Sequence, residues 1–450
     1  MMPQERRAAY SLASIYALRM LGLFMIFPVF SLYARHLAGA TPVLIGLALG
    51  IYGLTQAILQ IPFGWASDRL GRKPVIIAGL LLFAGGSVVA ALAHTIYGVI
   101  IGRALQGSGA IAAAVMALAA DLTREEQRTK VMAMIGVSIG MAFALALILG
   151  PVLDRFIGVP GIFWLTAFLA LMGIAVLRLW VPNPVRSTFH RDAEAVPGQF
   201  ASVLKDTQLL RLDVGILVLH LVLTASFVVV PIALSDAAGL PASRHWILYL
   251  AVLGLSVVAM VPFIILAEKR RLIKQTLAGA VILLALSEFG LALDYASVAG
   301  IALMLFLYFT AFNVLEASLP SLISRLAPPD RKGTALGVYS SSQFMGAFLG
   351  GTVGGWLYGH YGIAAVFMTC AVLAGLWWLL VLTMKPPAYL KSYVLKVENV
   401  DEAKARELAQ RLRKVPGVAE AVVIVEEGLA YLKVDPQALD EQALKQLGVH

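Results

Sequence analysis

Residues 64–73 read GWASDRLGRK. Asp68, Arg69, Arg72 and Lys73 fall within six positions, flanked by apolar runs at 43–66 and 74–93. The surrounding chain of 450 residues is 60% hydrophobic and only 14% charged, with a mean hydropathy of +0.85. Soluble domains carry about a quarter charged residues. An apolar fraction this high over such a length implies many membrane spans rather than one large core. Dense charge between two such runs marks a loop outside the bilayer. Within it Gly71 permits a tight turn, and Gly64 lets a neighbouring helix approach closely. Asp68 offers a carboxylate to a helix start, and Arg72 presents a fork that suits a carboxylate.

Outward from this loop, apolar runs recur at 10–34, 43–66, 74–93, 97–120, 130–153 and 161–181. They resume at 212–235, 245–267, 275–293, 297–324, 334–359 and 361–384. The expectation is an all-α membrane protein of twelve transmembrane helices, six on each side of a polar, proline-bearing break. Four units follow: a six-helix bundle over 1–181, a linker over 182–211, a second bundle over 212–387, and a small domain over 388–450. The linker is expected to hold a short surface helix over 199–209. GPVLDRFIG (150–158) and GGWLYGHYG (354–362) echo each other near the ends of spans five and eleven. Paired halves of this kind are a common transporter architecture.

Twenty Lys and Arg residues fall on the side that holds the N-terminus and the 64–73 loop, against Arg35, Arg155 and Arg244 on the other. The asymmetry places both termini in the cytoplasm. It also accounts for the formal charge of +9 without nucleic acid. The N-terminal segment reads as a retained first span rather than a cleaved leader. Cys370 is the single cysteine, which excludes an intramolecular disulfide and a thiolate metal cluster. No phosphate loop, H-E-x-x-H or nucleophile elbow is present, so an enzyme is disfavoured and no cofactor is expected.

Charges inside the spans are costly and therefore functional candidates. They are Arg19, Arg103, Glu288 and Glu316. Burial favours a carboxyl that picks up and releases a proton. Glu316 is the preferred proton carrier, with helix-packing glue as its alternative. Glu288 lies toward the outer end of its span, where interfacial solvent would reach it. Arg103 reads either as a donor to backbone carbonyls or as a coupling residue. His220 reads as an interior histidine or as a switch. Polar or aromatic groups suited to a cavity lining are Phe24, Gln56, Asn313 and Gln343, joined by Arg19 and His220. The tail reads β-α-β-β-α, with strands over 392–397 and 421–434, a helix over 401–415 and another over 438–447.

The string G-x-x-x-D-R-x-G-R-K at 64–73 resembles the signature of the major facilitator superfamily between its second and third helices. VIIGRALQGSGA (99–110) is similar to the family's motif in span four, and LGLFMIFPV (21–29) to its drug-exporter motif in span one. The glycine-rich antiporter motif of span five is only partly present. Gly150 and Pro151 stand, but Ala142 and Ala146 replace glycines. The resemblance implies two six-helix bundles rocking about a midplane site. It implies that Asp68 meets the start of helix eleven in the outward-facing state and that Arg72 pairs with Asp121. The cluster Gly64, Asp68, Arg69, Gly71, Arg72, Lys73 and Asp121 then acts as a latch, and Arg103 couples to proton movement. The tail resembles ferredoxin-like, heavy-metal-associated domains, yet holds no cysteine and only His450, so no metal site is expected. The leading reading is a monomeric, proton-coupled exporter of a small organic compound in the bacterial inner membrane, with substrate, protons and lipid as its partners. A proton-coupled importer, or a membrane-anchored sensor whose tail binds a cytoplasmic ligand, are the alternatives.

Overall fold

The computed structural model describes residues 1–183, 197–328, 331–385, 391–397, 401–425, 428–435, 438–440 and 443–444. Residues 184–196 of the expected linker, and five of the ten residues of the expected helix over 438–447, lie outside the described residues.

The first half comprises α1 (Pro3–Phe24), α2 (Phe30–Ala34), α3 (Pro42–Leu70), α4 (Arg72–Leu92), α5 (Ile96–Ser108), α6 (Ala112–Asp121) and α7 (Glu125–Leu179). After the short α8 (Phe200–Leu204) come α9 (Thr207–Ile232), α10 (His245–Lys269), α11 (Ile273–Leu293), α12 (Val298–Leu326), α13 (Lys332–Tyr361) and α14 (Ile363–Leu382). The expected surface helix over 199–209 is thus only α8, because Asp206 caps the next helix by accepting from the backbone of Gln208 and Leu209. The first apolar run is broken rather than continuous. Met25–Val29 separates α1 from α2, and Pro28 packs there against Gly150 of α7.

Nine helices among the described residues are long and apolar enough to cross a membrane, where the apolar runs suggested twelve. The difference has three physical sources. Two runs fall within α7, which is two helices meeting at a non-helical turn at Gly158 and counts as one stretch. The charged start and Arg19 dilute α1. Glycines and the stretch Ser340–Gln343 dilute α13. The echo between 150–158 and 354–362 has a backbone counterpart. Gly158 has φ 65° and ψ 173°, and Gly362, between α13 and α14, has φ 81° and ψ −174°. Both turns need the left-handed φ that glycine adopts without strain.

Within the first half α1 packs on α7, and α4 on α5 and α7. In the second, α9 packs on α13 and α14, and α11 on α12 and α14. The halves meet chiefly where α3 lies along α13. A Cβ on Gly46 would collide with the Gly351 carbonyl, and one on Gly53 with the Phe344 carbonyl. The backbones touch because α3 presents Gly46, Gly50 and Gly53 to α13, and Gly351 faces Gly46 from the other side. The seam runs from Pro42 beside Gly359 to Ser341, whose hydroxyl donates to the Ala57 carbonyl at 3.3 Å. At the Pro42–Gly359 end Arg35 pairs with Asp236 across the halves at 2.7 Å. One buried core, holding Phe27, Leu49, Phe143, Phe227 and Phe309, runs through both halves. A second core, around Leu12, Phe83 and Leu118, belongs mostly to the first half. The end bearing Arg35 and Asp236, here the far end, is therefore closed.

The tail forms β1 (Lys391–Lys396), α15 (Glu402–Arg413), β2 (Val418–Ile424) and β3 (Leu429–Val434), an antiparallel sheet in the order β1-β3-β2. Asp401 caps α15 by accepting from the backbone of Lys404 at 2.8 Å. Lys433 of β3 donates to the Arg325 carbonyl at the end of α12, at 2.5 Å.

The glycine seam makes a specific demand. Overpacking costs about 1–3 kcal/mol, so Gly351→Leu is expected to lower the closed fraction of the far end about fivefold or more. The measurement is the cross-linking yield of an Arg35→Cys/Asp236→Cys pair in a Cys370→Ala background. An unchanged yield would show that the seam does not hold this end shut.

Candidate functional site: the charged loop and the buried polar groups

α3 ends at Gly71, whose φ of 92° turns the chain directly into α4. Arg72, the first residue of α4, is thereby swung inward, its side chain 3% exposed. Its Nη1 donates to Asp68 one turn back and to Ser67 Oγ at 2.9 Å. Its Nε faces Asp121 Oδ2 at 3.4 Å, at the end of α6. Gly64 allows α6 to approach, with Ala113 at 3.1 Å from where a Cβ would lie. Among the described residues the expected bonds from Asp68 to a helix-start backbone are not formed, because Arg72 takes the carboxylate instead. Nor does Asp68 reach α13 in this far-end-closed conformation. Arg69 lies 3.7 Å above the Trp65 ring. Lys73 donates to the Val181 carbonyl at 2.6 Å and to Asn183 Oδ1 at 2.7 Å, tying α4 to the end of α7.

A second ion pair braces the same end. Glu5 is buried at the start of α1 and accepts from Arg124 Nε at 2.9 Å and from the Arg124 backbone at 3.2 Å. The hydrogen bond from the Arg124 side chain, with help from the Met2 backbone, holds the Glu5 carboxyl down at about 2, against an ordinary 4.5.

Arg19 and Arg103 are both fully buried, on either side of Tyr52. Their guanidinium carbons stand 5.9 and 5.2 Å from that ring. Arg19 donates to Gln56 Oε1 at 2.9 Å and to the Gly109 carbonyl at 2.8 Å, in the gap between α5 and α6. Arg103 donates to the Ala48 and Leu49 carbonyls and to Gln106 Oε1, the last at 2.7 Å. Gln106 passes on to Ser87 Oγ at 2.7 Å. Among the described residues neither arginine meets a carboxylate. Of the two readings of Arg103, carbonyl donor is the geometry found.

The acids lie in the second half. Glu316 Oε1 accepts from Gln343 Nε2 at 3.4 Å, and the same amide donates to His220 Nε2 at 2.8 Å. His220 Nδ1 faces the Ile216 carbonyl at 3.3 Å. That set of partners fits a neutral ring, protonated on Nδ1. Glu316 Oε2 stands 3.9 Å from His220 Nε2. Asn313, a candidate for the cavity lining one turn before Glu316, donates instead to Ser256 of α10 at 3.2 Å. Glu288 is not solvated as its place near the outer end of a span suggested. It is fully buried and accepts from Ser226 Oγ at 2.7 Å. Phe24 sits in an aromatic group with Phe27 and Phe143, its centroid 4.9 Å from the latter. Phe143 stacks on Phe312 across the halves at 5.7 Å, and Phe312 lies 6.0 Å from His220. The Glu316 group therefore adjoins the interface between halves.

Sequence reading missed Asp213. It is 3% exposed on α9, and neither carboxylate oxygen has a hydrogen-bond partner among the described residues. It begins an apolar run, where an acid passes for a boundary charge. Its spacing of seven from His220, two turns along one helix face, is the signal that would have found it.

The pairing of Glu5 predicts a pH signature. A depressed carboxyl stabilises the fold above its ordinary value and loses that contribution as pH falls toward its folded value. Glu5→Gln is expected to lower the detergent-solubilised Tm by about 2 °C at neutral pH. The gap narrows below 4.5 and vanishes near about 2. A gap independent of pH would contradict the assignment.

The sequence profile described as Major Facilitator Superfamily matches residues 12–340 and 212–422. The chain is 48% identical over 452 residues to the inner membrane transport protein YajR of Escherichia coli (strain K12), covering 99% of each. It is 26% identical over 340 residues to the multidrug resistance protein MdtH of Yersinia enterocolitica, covering 75% of this chain and 83% of that one. Among solved structures, a bacterial homologue of the human lysosomal transporter Spinster, in an inward-facing and occupied conformation, superposes with a TM-score of 0.69 at 13% identity. It covers 85% of this chain and 97% of its own. The human organic anion transporter MFSD10 superposes at 0.64 and 20% identity, covering 84% and 100%. The profile match and the near-full-length similarity to YajR show that this chain is a membrane transporter of the major facilitator superfamily, not an enzyme.

Proposed function

We propose that the protein is a proton-coupled exporter of a small organic compound, working as a monomer by alternating access in the bacterial inner membrane. Twelve crossings form two six-helix bundles. The count follows if α1 and α13 cross beside the nine more apolar helices and α7 crosses twice, turning at Gly158. The end carrying the 64–73 loop, both termini and a ferredoxin-like tail is cytoplasmic, which makes the far-end-closed conformation inward-facing.

The observation that carries the reading is the placement of Glu316. It is a carboxyl inside a span, its side chain 33% exposed, bonded to an amide and near a neutral histidine, one aromatic layer from the seam between halves. A proton on Glu316 neutralises the one charge of that group, and its loss restores an anion that must be hydrated or paired. Rocking of the halves alternately supplies and removes that environment. Arg103 then acts by holding α5 to the backbone of α3 rather than by carrying a proton. The multidrug resistance name of MdtH supports an organic cargo, and the aromatic residues beside Glu316 suit an apolar one.

Everted vesicles discriminate direction. With the lumen acidified, an exporter exchanges luminal protons for external substrate and fills the vesicle, whereas an importer empties it. Across a panel of lipophilic neutral and cationic dyes, at least one is expected to accumulate. Glu316→Gln is expected to reduce that accumulation by on the order of tenfold or more, as loss of a required proton carrier does. Accumulation unaffected by Glu316→Gln would remove the proton role, and acid-driven emptying would reverse the direction.

A further inference from the structure

The unsatisfied buried oxygens of the second half include those of Thr224, Tyr249, Glu288 and Tyr308, and a separate set nearer the basic end. Asp213 Oδ1 and Oδ2, Tyr339 Oη and Glu316 Oε2 all lack hydrogen-bond partners among the described residues. Asp213 is six residues from the start of α9 and Tyr339 seven from the start of α13, each about 10 Å in from the cytoplasmic end. Glu316 lies ten residues from the end of α12, about 15 Å in. Tyr339 is 4% exposed, one turn from Gln343, and within electrostatic reach of both carboxyls. The backbones of α9 and α13 touch, with the Leu217 carbonyl where a Gly346 Cβ would be, so little room separates the acid from the phenol.

The charged groups around Asp213 are accounted for. On its own helix, Arg211 donates to Thr383 Oγ1 at 3.2 Å and to the Thr207 carbonyl, and His220 is engaged with Gln343. α14 presents Trp377 beside Gly215. Lys205 after α8, Lys332 of α13 and Arg325 of α12 lie at helix ends, and none acts appreciably on Asp213. An ionised carboxylate buried without a partner costs several kcal/mol. Asp213 thus has no structural bond to account for it, yet sits between the cytoplasm and the proposed proton carrier.

We infer that Asp213 is a second proton-binding site, with the Tyr339 hydroxyl bridging it to Glu316. The inference rests on the proton reading of Glu316. In the transfer step the Glu316 carboxyl gives its proton to the Tyr339 oxygen as Tyr339 gives its own to the Asp213 carboxylate, so the proton moves toward the cytoplasm as export requires. One O–H bond breaks and one forms at the phenol, which ends neutral, and no electrons are exchanged.

The test needs no substrate. Infrared difference spectra between acid and alkaline pH are recorded on the full chain in lipid nanodiscs, with and without carboxyl-13C aspartate. A protonated aspartic acid band that shifts on labelling is expected. Asp213→Asn removes it, Tyr339→Phe shifts it, and Glu316→Gln removes a different, unlabelled band. Absence of an aspartate band in the wild-type spectrum overturns the inference, and so does an Asp213→Asn spectrum superimposable on wild type. A band indifferent to Tyr339→Phe overturns the bridge. Should Asp213→Asn fail to fold, the labelled wild type and Tyr339→Phe decide. A Glu316→Gln spectrum identical to wild type contradicts the proton reading of Glu316 instead, whatever Asp213 does.

Discussion

Arg72 is buried between two carboxylates, and the mechanical properties of the first half follow from that. A guanidinium inside protein stays charged, and removing one partner of a buried pair costs about 3–5 kcal/mol. The contacts to Asp68 and Ser67 on α3 and to Asp121 on α6 therefore bind three helices into one unit at the basic end. Lys73 adds the end of α7, and Glu5 with Arg124 adds α1. A bundle braced this way moves as a body. The place left for relative motion is the α3–α13 seam, where small residues let backbones touch without interlocking side chains.

Apart from the ion pairs at the basic end, the two halves carry opposite buried charge. Arg19 and Arg103 in the first are neutralised by carbonyls and amides, which hold a cation without titrating. Asp213, Glu288 and Glu316 in the second have fewer donors than oxygens. On the proposed proton-coupled reading, that asymmetry gives rigidity to one half and protonation to the other. Aromatic rings, Phe143 against Phe312 and Phe27 against Phe227, lie between them and keep the charges apart.

What was legible in the sequence was local. Gly71 announced its turn because no other residue adopts its backbone cheaply, and the spacing of Asp68, Arg72 and Lys73 around it marked a built loop. The echo of 150–158 in 354–362 proved to be a shared bend. Side-chain direction within an apolar run was not legible. Glu288 was expected near solvent because distance along a span says nothing about which face it occupies. Asn313 and Glu316 are three apart yet reach different helices, since α10 offers Ser256 to one and α13 offers Gln343 to the other. Asp213 was hidden by its place at the edge of a run.

If the Asp68–Arg72–Asp121 cluster is the latch that the family resemblance implies, it sets the balance between states open at opposite ends. Spin labels at the exposed residue Arg69 and at His360 would not report it, since one lies at each end. A pair at Arg69 and Arg331, both at the basic end, reads it directly by pulsed electron resonance. Asp68→Asn is expected to shift the distance distribution toward the longer, cytoplasm-open population. A distribution unchanged by Asp68→Asn would contradict the account.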